Sequence, residues 1–190
     1  MENTNYSKIY RIIHWAIAIS FLLLLITIFL RLTWLNKSNL ADIIQDYLGG
    51  TDQNLSQDQI LNLAKKIRQP MWNWHFYIGY VLVGLFSIRL ILPAFGEMKI
   101  QNPFEKNLST KMKFQKWTYI IFYICVIISL ITGLVIEFGP KELKNFMEEI
   151  HVLSIYYLIA FIIIHLAGIL IGEFTDQNGI ISRIVSGTKK

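Results

Sequence analysis

Apolar and polar positions along this chain alternate first on a scale of about twenty residues, and only locally on the scale of a helical turn. Four runs are almost wholly apolar: Ile12–Leu30, Phe76–Phe95, Trp117–Ile136 and Ile150–Ile171, of 19, 20, 20 and 22 residues. A helix rises about 1.5 Å per residue, so each run can cross a hydrocarbon core about 30 Å thick. With their flanks the runs predict helices over about residues 9–34, 71–95, 114–137 and 147–172, within one domain spanning 1–190. The first run follows Lys8 and Arg11, as a secretion signal would. Its 19 residues exceed a typical signal core, however, and Arg31-Leu-Thr-Trp-Leu offers no small-residue cleavage site, so it reads as a retained span.

Helical periodicity appears in the connection between the first two runs, residues 36–69. Leu40, Ile43, Ile44, Tyr47 and Leu48 form one apolar face, ended by Gly49-Gly50. Ser56 with Gln59 then has the form of a reciprocal cap, followed by Ile60, Leu61, Leu63, Ala64 and Ile67 at helical spacing before Pro70. The expected fold is all-α: a polytopic membrane four-helix bundle with two short amphipathic helices in the first outer loop. That loop is long for a plain connector, and it serves either as a cover on the bundle mouth or as a docking and access segment.

Composition sharpens this picture. Of 190 residues, 54% are hydrophobic and only 16% charged, against about 25% charged in a typical soluble domain. A soluble enzyme, a secreted disulfide scaffold and a disordered chain are excluded. The net charge of +5 does not form the basic patch that nucleic acid needs, so no nucleic-acid partner is expected. The basic residues sort by membrane side instead. The N-terminal segment, the loop between the second and third runs and the tail carry eleven Lys and Arg (Lys8, Arg11, Arg89, Lys99, Lys106, Lys111, Lys113, Lys116, Arg183, Lys189, Lys190) against five acids (Glu2, Glu97, Glu105, Glu173, Asp176). The other two loops and their helix ends carry seven against eight acids. The positive-inside bias places both termini in the cytoplasm. Cys125 lies mid-span and reads as a small hydrophobe, and no Cys-x-x-Cys-His run attaches haem covalently.

The chain has four histidines, His14, His75, His151 and His165, and all of them lie in or at the edge of a span. Ionisable side chains in a membrane are rare and usually functional. In the inferred orientation, His14 near the start of the first span is at the inner level. His75 and His151, each near the start of an inward-running span, are at the outer level. His165 lies 14 residues beyond His151, about 21 Å deeper, at the level of His14, and on an unbroken helix about 40° away in azimuth. The constellation is two stacked pairs, His75 with His151 and His14 with His165. Two imidazoles facing each other without carboxylate or thiolate companions suit the axial positions of a haem iron. A tetrahedral zinc site would need four converging ligands. Taken singly, each histidine reads first as a helix-capping or hydrogen-bonded core residue; four of them sorted by depth do not.

Other residues fit less specifically. Gly79 and Gly168, close after His75 and His165, would let a flat macrocycle approach the backbone, or serve helix packing. Arg11 precedes His14 by about a turn, and Arg89 shares the ligand face of His75 at the inner level. Both are candidates for pairing with haem propionates, or for snorkelling to lipid head groups. Trp72 and Trp74 read as an interfacial aromatic belt. No catalytic residue is identified.

The sequence resembles the bacterial four-helix di-haem cytochrome b family, which comprises the bacterial cytochromes b-561 and the b-type cytochrome subunits of nickel–iron hydrogenases. The resemblance rests on Arg11-Ile-Ile-His14-Trp15, on Trp74-His75-Phe-Tyr-Ile-Gly79, on His151 with His165, and on the tail from Asp176 to Gly187. It covers the chain apart from residues 36–69. It implies His14, His165, His75 and His151 as ligands of two b-type haem irons, in a bacterial cytoplasmic (inner) membrane, with membrane quinone as substrate or bound ligand. The expected function is electron transfer between an outer-side, periplasmic donor and quinone, with lipid, quinone and a redox partner or complex subunits as partners. Within the family this takes the form of an electron-transfer subunit anchoring a hydrogenase-like complex or a stand-alone quinone-reducing oxidoreductase, including one that oxidises superoxide. The expanded loop leaves the donor open. A histidine-lined divalent-metal transporter is the alternative from another class; it would want acids or thiolates between the layers, and the spans place no Asp or Glu there.

Overall fold

A computed structural model of the chain describes residues 6–98, 102–175 and 178–187. The fold is all-α, with no strand among the described residues. The elements in order are α1 (Lys8–Leu32), α2 (Lys37–Gly49), α3 (Gln57–Ile91), a 3-10 turn (Leu92–Phe95), α4 (Thr110–Phe138), α5 (Lys141–Val152), α6 (Ser154–Phe174) and α7 (Ile180–Ser186). Four stretches, Lys8–Leu32, Gln57–Phe95, Thr110–Phe138 and Lys141–Phe174, are long and apolar enough to cross a membrane. Five charges in the sidedness count, Glu2, Lys99, Asp176, Lys189 and Lys190, lie outside the described residues.

The chain divides into two compact units, Ala16–Leu85 and Met1–Trp15 with Phe86–Lys190. In the first, α2 folds back on the start of α3. Asn36 caps α2 by accepting from the Ser38 N–H at 2.9 Å, and Gly50 closes its far end. At the start of α3 the Ser56 N–H donates to Gln59 Oε1 at 2.8 Å, and the Gln59 N–H to Ser56 Oγ at 3.3 Å. This is the reciprocal cap expected from the sequence. Leu40 and Ala41 bury against Ile60 and Ala64, with Leu35, Ile44, Leu48 and Leu61 packed around them. The two amphipathic segments thus cover each other. Ile43 and Tyr47, expected on the same apolar face, are exposed at 57% and 76%. The buried stripe follows Leu40, Ile44 and Leu48 at four-residue spacing; Ile43 falls about 100° from its centre and Tyr47 about 60°.

The second amphipathic segment does not stop before Pro70. It continues as the single 35-residue α3, with Pro70 inside. Proline forfeits one hydrogen bond, whereas ending the helix there would leave several backbone groups without intrahelical partners. At its far end α3 tightens into the 3-10 turn at Pro93 and closes on Gly96, whose φ of 83° is left-handed.

In the second unit, Ser109 caps α4 by accepting from the Met112 N–H at 3.3 Å, which starts that helix at Thr110. The fourth span begins at Lys141, earlier than the apolar run predicts, because Pro140 presets the entry and Glu142 sits in the first turn. It is also broken. The Leu153 N–H bonds Ile150 O at 3.2 Å and the Tyr156 N–H bonds Leu153 O at 3.1 Å, three-residue bonds that tighten the chain between α5 and α6. The azimuth deduced for His151 and His165 on an unbroken helix therefore does not apply. Phe122 of α4 stacks on Phe161 of α6, with ring centroids 3.6 Å apart and planes 9° off parallel.

Candidate functional site: the four histidines

His14, in the second turn of α1, faces His165 of α6 with ring centroids 6.1 Å apart and planes inclined by 48°. A metal–imidazole bond of about 2 Å on each side, plus about 1 Å from each nitrogen to its ring centre, spans about 6 Å. The spacing would admit one metal ion between the two rings. His14 is flanked by Tyr10, stacked at 6.3 Å, and by Trp15, edge-on at 5.8 Å. His165 is backed by Phe161 at 5.4 Å, and its Nδ1 lies 3.1 Å from the Tyr119 hydroxyl.

His75 of α3 is held from α1. Thr27 Oγ1 lies 2.7 Å from His75 Nδ1 and donates its own proton to Leu24 O at 2.6 Å. With that proton committed, the hydroxyl accepts from Nδ1–H, which leaves the ligating lone pair on Nε2. His151 of α5 is held from α4 in the same way. Its Nδ1 lies 3.0 Å from Ser129 O and 3.1 Å from Thr132 Oγ1, and the latter donates to Ser129 O at 3.0 Å. A carbonyl only accepts, so Nδ1 again carries the proton. Gly133 completes the seat, since a Cβ there would lie 3.1 Å from His151 Cε1. His75 belongs to the unit Ala16–Leu85 and His151 to the other. Among the described residues no three His, Cys, Asp or Glu side chains converge as a metal site.

Sequence reasoning passed over Thr27, Thr132, Ser129 and Tyr119. The one signal was a threonine inside each of two apolar runs, and both threonines are buried. Both arginines have protein partners. Arg89 is 7% exposed, donates to Met98 O at 2.8 Å and to the Tyr123 hydroxyl at 2.6 Å, and lies over the Tyr123 ring. Tyr123 is one turn beyond Tyr119 on α4, so Arg89 is tied to the helix that also holds His165. Arg11 donates through Nη1 to Val185 O at 3.0 Å, while its Nε is buried without a hydrogen-bond partner. That is a donor an acidic group on a bound cofactor would satisfy. Gly79 and Gly168 border open space, with no atom within 4 Å of an added Cβ. Trp74 is exposed, as a belt residue would be, whereas Trp72 packs edge-on against His75 at 5.4 Å.

A family model described as prokaryotic cytochrome b561 matches residues 5–187. No curated protein and no solved structure matches at a significant level.

Proposed function

The chain belongs to the prokaryotic cytochrome b561 family, and from that premise we propose that it carries electrons across a bacterial cytoplasmic membrane through two bis-histidine b-type haems, between a periplasmic donor and quinone. A haem iron held by two imidazoles supplies one-electron ferric–ferrous chemistry with no open coordination position. In this reading His14 and His165 ligate one iron, and His75 and His151 the other.

The observation that carries the reading is the ligand-like spacing of His14 and His165, 6.1 Å between ring centroids. The Nδ1 contacts of His75, His151 and His165 support it. Thr27, Thr132 with Ser129, and Tyr119 fix ring orientation, as partners of ligating histidines commonly do. Arg11, with its buried Nε, and Arg89, beside Tyr123, supply positive charge for the propionates at the His14 level. Both termini lie on the cytoplasmic side, so the His75–His151 layer receives electrons from the donor and the His14–His165 layer passes them to quinone. The donor belongs to a periplasmic redox protein, to a subunit of a hydrogenase-like complex, or is superoxide itself. A divalent-metal path lacks the acids it would need between the layers.

The test is the visible spectrum of the purified protein, oxidised and dithionite-reduced, with haem extracted and counted as the pyridine complex. Two haem b per chain, both low-spin, are expected. A chain purified with haem available that binds none, or only one, overturns the reading.

A further inference from the structure

His14 differs from the other three histidines in how it is aimed. Its described ring contacts are Tyr10, Trp15 and His165, and no hydroxyl or carbonyl hydrogen bond to its ring is among the described contacts. The residues around it are held instead. Arg11, one turn earlier, donates to Val185 O at 3.0 Å, and Trp15, the next residue, donates through Nε1 to Ile184 O at 3.3 Å. Both acceptors are carbonyls at the end of α7.

That end is built to receive them. A helix C-terminus presents unpaired carbonyls and partial negative charge, which favours donors and a cation. Gly187 then turns the chain away with a left-handed φ of 84°, and a Cβ there would lie 2.8 Å from Arg11 Cζ. The opposite end of α7 is fastened to α6. The Glu173 carboxylate accepts from the Gly179 N–H at 2.8 Å and the Ile181 N–H at 3.1 Å. Seven residues are too few to hold a helix by themselves, so α7 owes its structure to these contacts. It links α6, which carries His165, to the first turns of α1, which carry His14.

We propose that α7 is a clasp that positions His14, with Glu173 and Trp15 as its positioning residues: it fixes the rotation of the first turns of α1 so that the His14 ring faces His165. This rests on the reading of His14 as a haem ligand. A loosened clasp lets His14 leave the iron, and a five-coordinate ferrous haem then binds carbon monoxide, which a bis-histidine haem refuses.

The experiment compares wild type, Glu173→Leu, Glu173→Gln, Trp15→Phe and a chain ending at Thr175, each purified whole in detergent with its haem. Carbon monoxide difference spectra and redox titration are the readouts. In Glu173→Leu and the shortened chain, carbon monoxide binding should rise from near zero to about half of the haem, one of two. The potential of that same component should move while the other stays put. Glu173→Gln keeps an acceptor and should restore most of the wild-type behaviour. Trp15→Phe keeps an aromatic ring, smaller than the indole, and loses the donor, and should show a smaller effect of the same kind. Two unreactive haems with unchanged potentials in Glu173→Leu overturn the clasp, and so does an equal effect on both haems. Where the shortened chain does not accumulate, Glu173→Leu decides. A wild type with fewer than two haems would instead sink the proposed function.

Discussion

Replacing Thr27 by Val keeps the shape of the side chain and removes one oxygen. That oxygen is 2.7 Å from His75 Nδ1, its proton is committed to Leu24 O at 2.6 Å, and the residue is buried. An accepted hydrogen bond leaves more electron density on the imidazole, and a more basic axial ligand favours ferric iron. Under the proposed ligation, its loss should therefore raise the midpoint potential of the haem that His75 would hold. A neutral hydrogen bond contributes about 0.5–1.5 kcal/mol net. For a one-electron couple about 59 mV corresponds to a tenfold change in equilibrium constant, or about 1.4 kcal/mol, so the whole bond corresponds to about 20–60 mV. Only the part that differs between oxidation states counts, which puts the expected rise in the lower half of that range. Spectroelectrochemical titration of the purified protein resolves the two haems. Thr27→Ser keeps the hydroxyl and serves as the control. A fall in potential, an equal shift of both haems, or no difference between Val and Ser would refute the orientation assigned to this hydrogen bond.

Four further outcomes are expected. His14→Ala and His165→Ala should each remove or convert one haem component, and His75→Ala and His151→Ala the other; if haem content and titration showed His14→Ala and His151→Ala striking the same component, the pairing would be wrong. Arg89→Leu removes a buried charge and leaves Met98 O without that donor, so the His14–His165 haem should shift to lower potential, the other haem should barely respond, and a thermal melt should show a loss of about 1–3 kcal/mol. Ser56→Ala opens the reciprocal cap of α3 and should cost about 0.5–2 kcal/mol, seen as faster amide exchange in the first turn of α3 with both haems retained. Changing Lys65, Lys66 and Arg68 together to Gln should slow reduction by an anionic or acidic donor at low salt, with the gap closing as salt is raised, because Lys65 and Lys66 are exposed and such charges are screened; equal rates at low salt would show that the donor enters elsewhere.

What was legible in the sequence was what a short window contains. The four spans follow from uninterrupted apolar length, and the Ser56–Gln59 cap follows from residues three apart that bond each other directly. The histidines stood out because apolar runs hold so few ionisable groups. Pro70 misled because its cost is local and visible, while what outweighs it comes from outside the window: packing of α2 on the start of α3. Leu153 misled for the opposite reason. Nothing in Val152-Leu153-Ser154 signals a break, and the tightened turn shows only in where the backbone N–H groups bond. The apolar run also hid the first turns of α5, whose polar residues looked like a connector between two spans.

The side chains that orient the histidines share a property that explains why they were missed. His75 on α3 is met by Thr27 of α1, His151 on α5 by Ser129 and Thr132 of α4, and His165 on α6 by Tyr119 of α4. The residues flanking His14 on α1 are met by α7. Each of these described hydrogen bonds comes from a helix other than the one that carries the histidine. An imidazole on one helix can rotate about its own side-chain bonds, and a partner on a second helix removes that freedom while fixing the distance between the two helices. Thr27 and Thr132 suit the task in an apolar layer. Each spends its proton on a carbonyl three residues back, on Leu24 O and Ser129 O, so the oxygen can only accept and the imidazole has one tautomer left. Tyr119 has a second side-chain hydrogen bond, with Gln115, and a phenol can donate as well as accept. The tautomer of His165 is therefore set by what its other nitrogen binds, whereas those of His75 and His151 are set by the protein before anything binds.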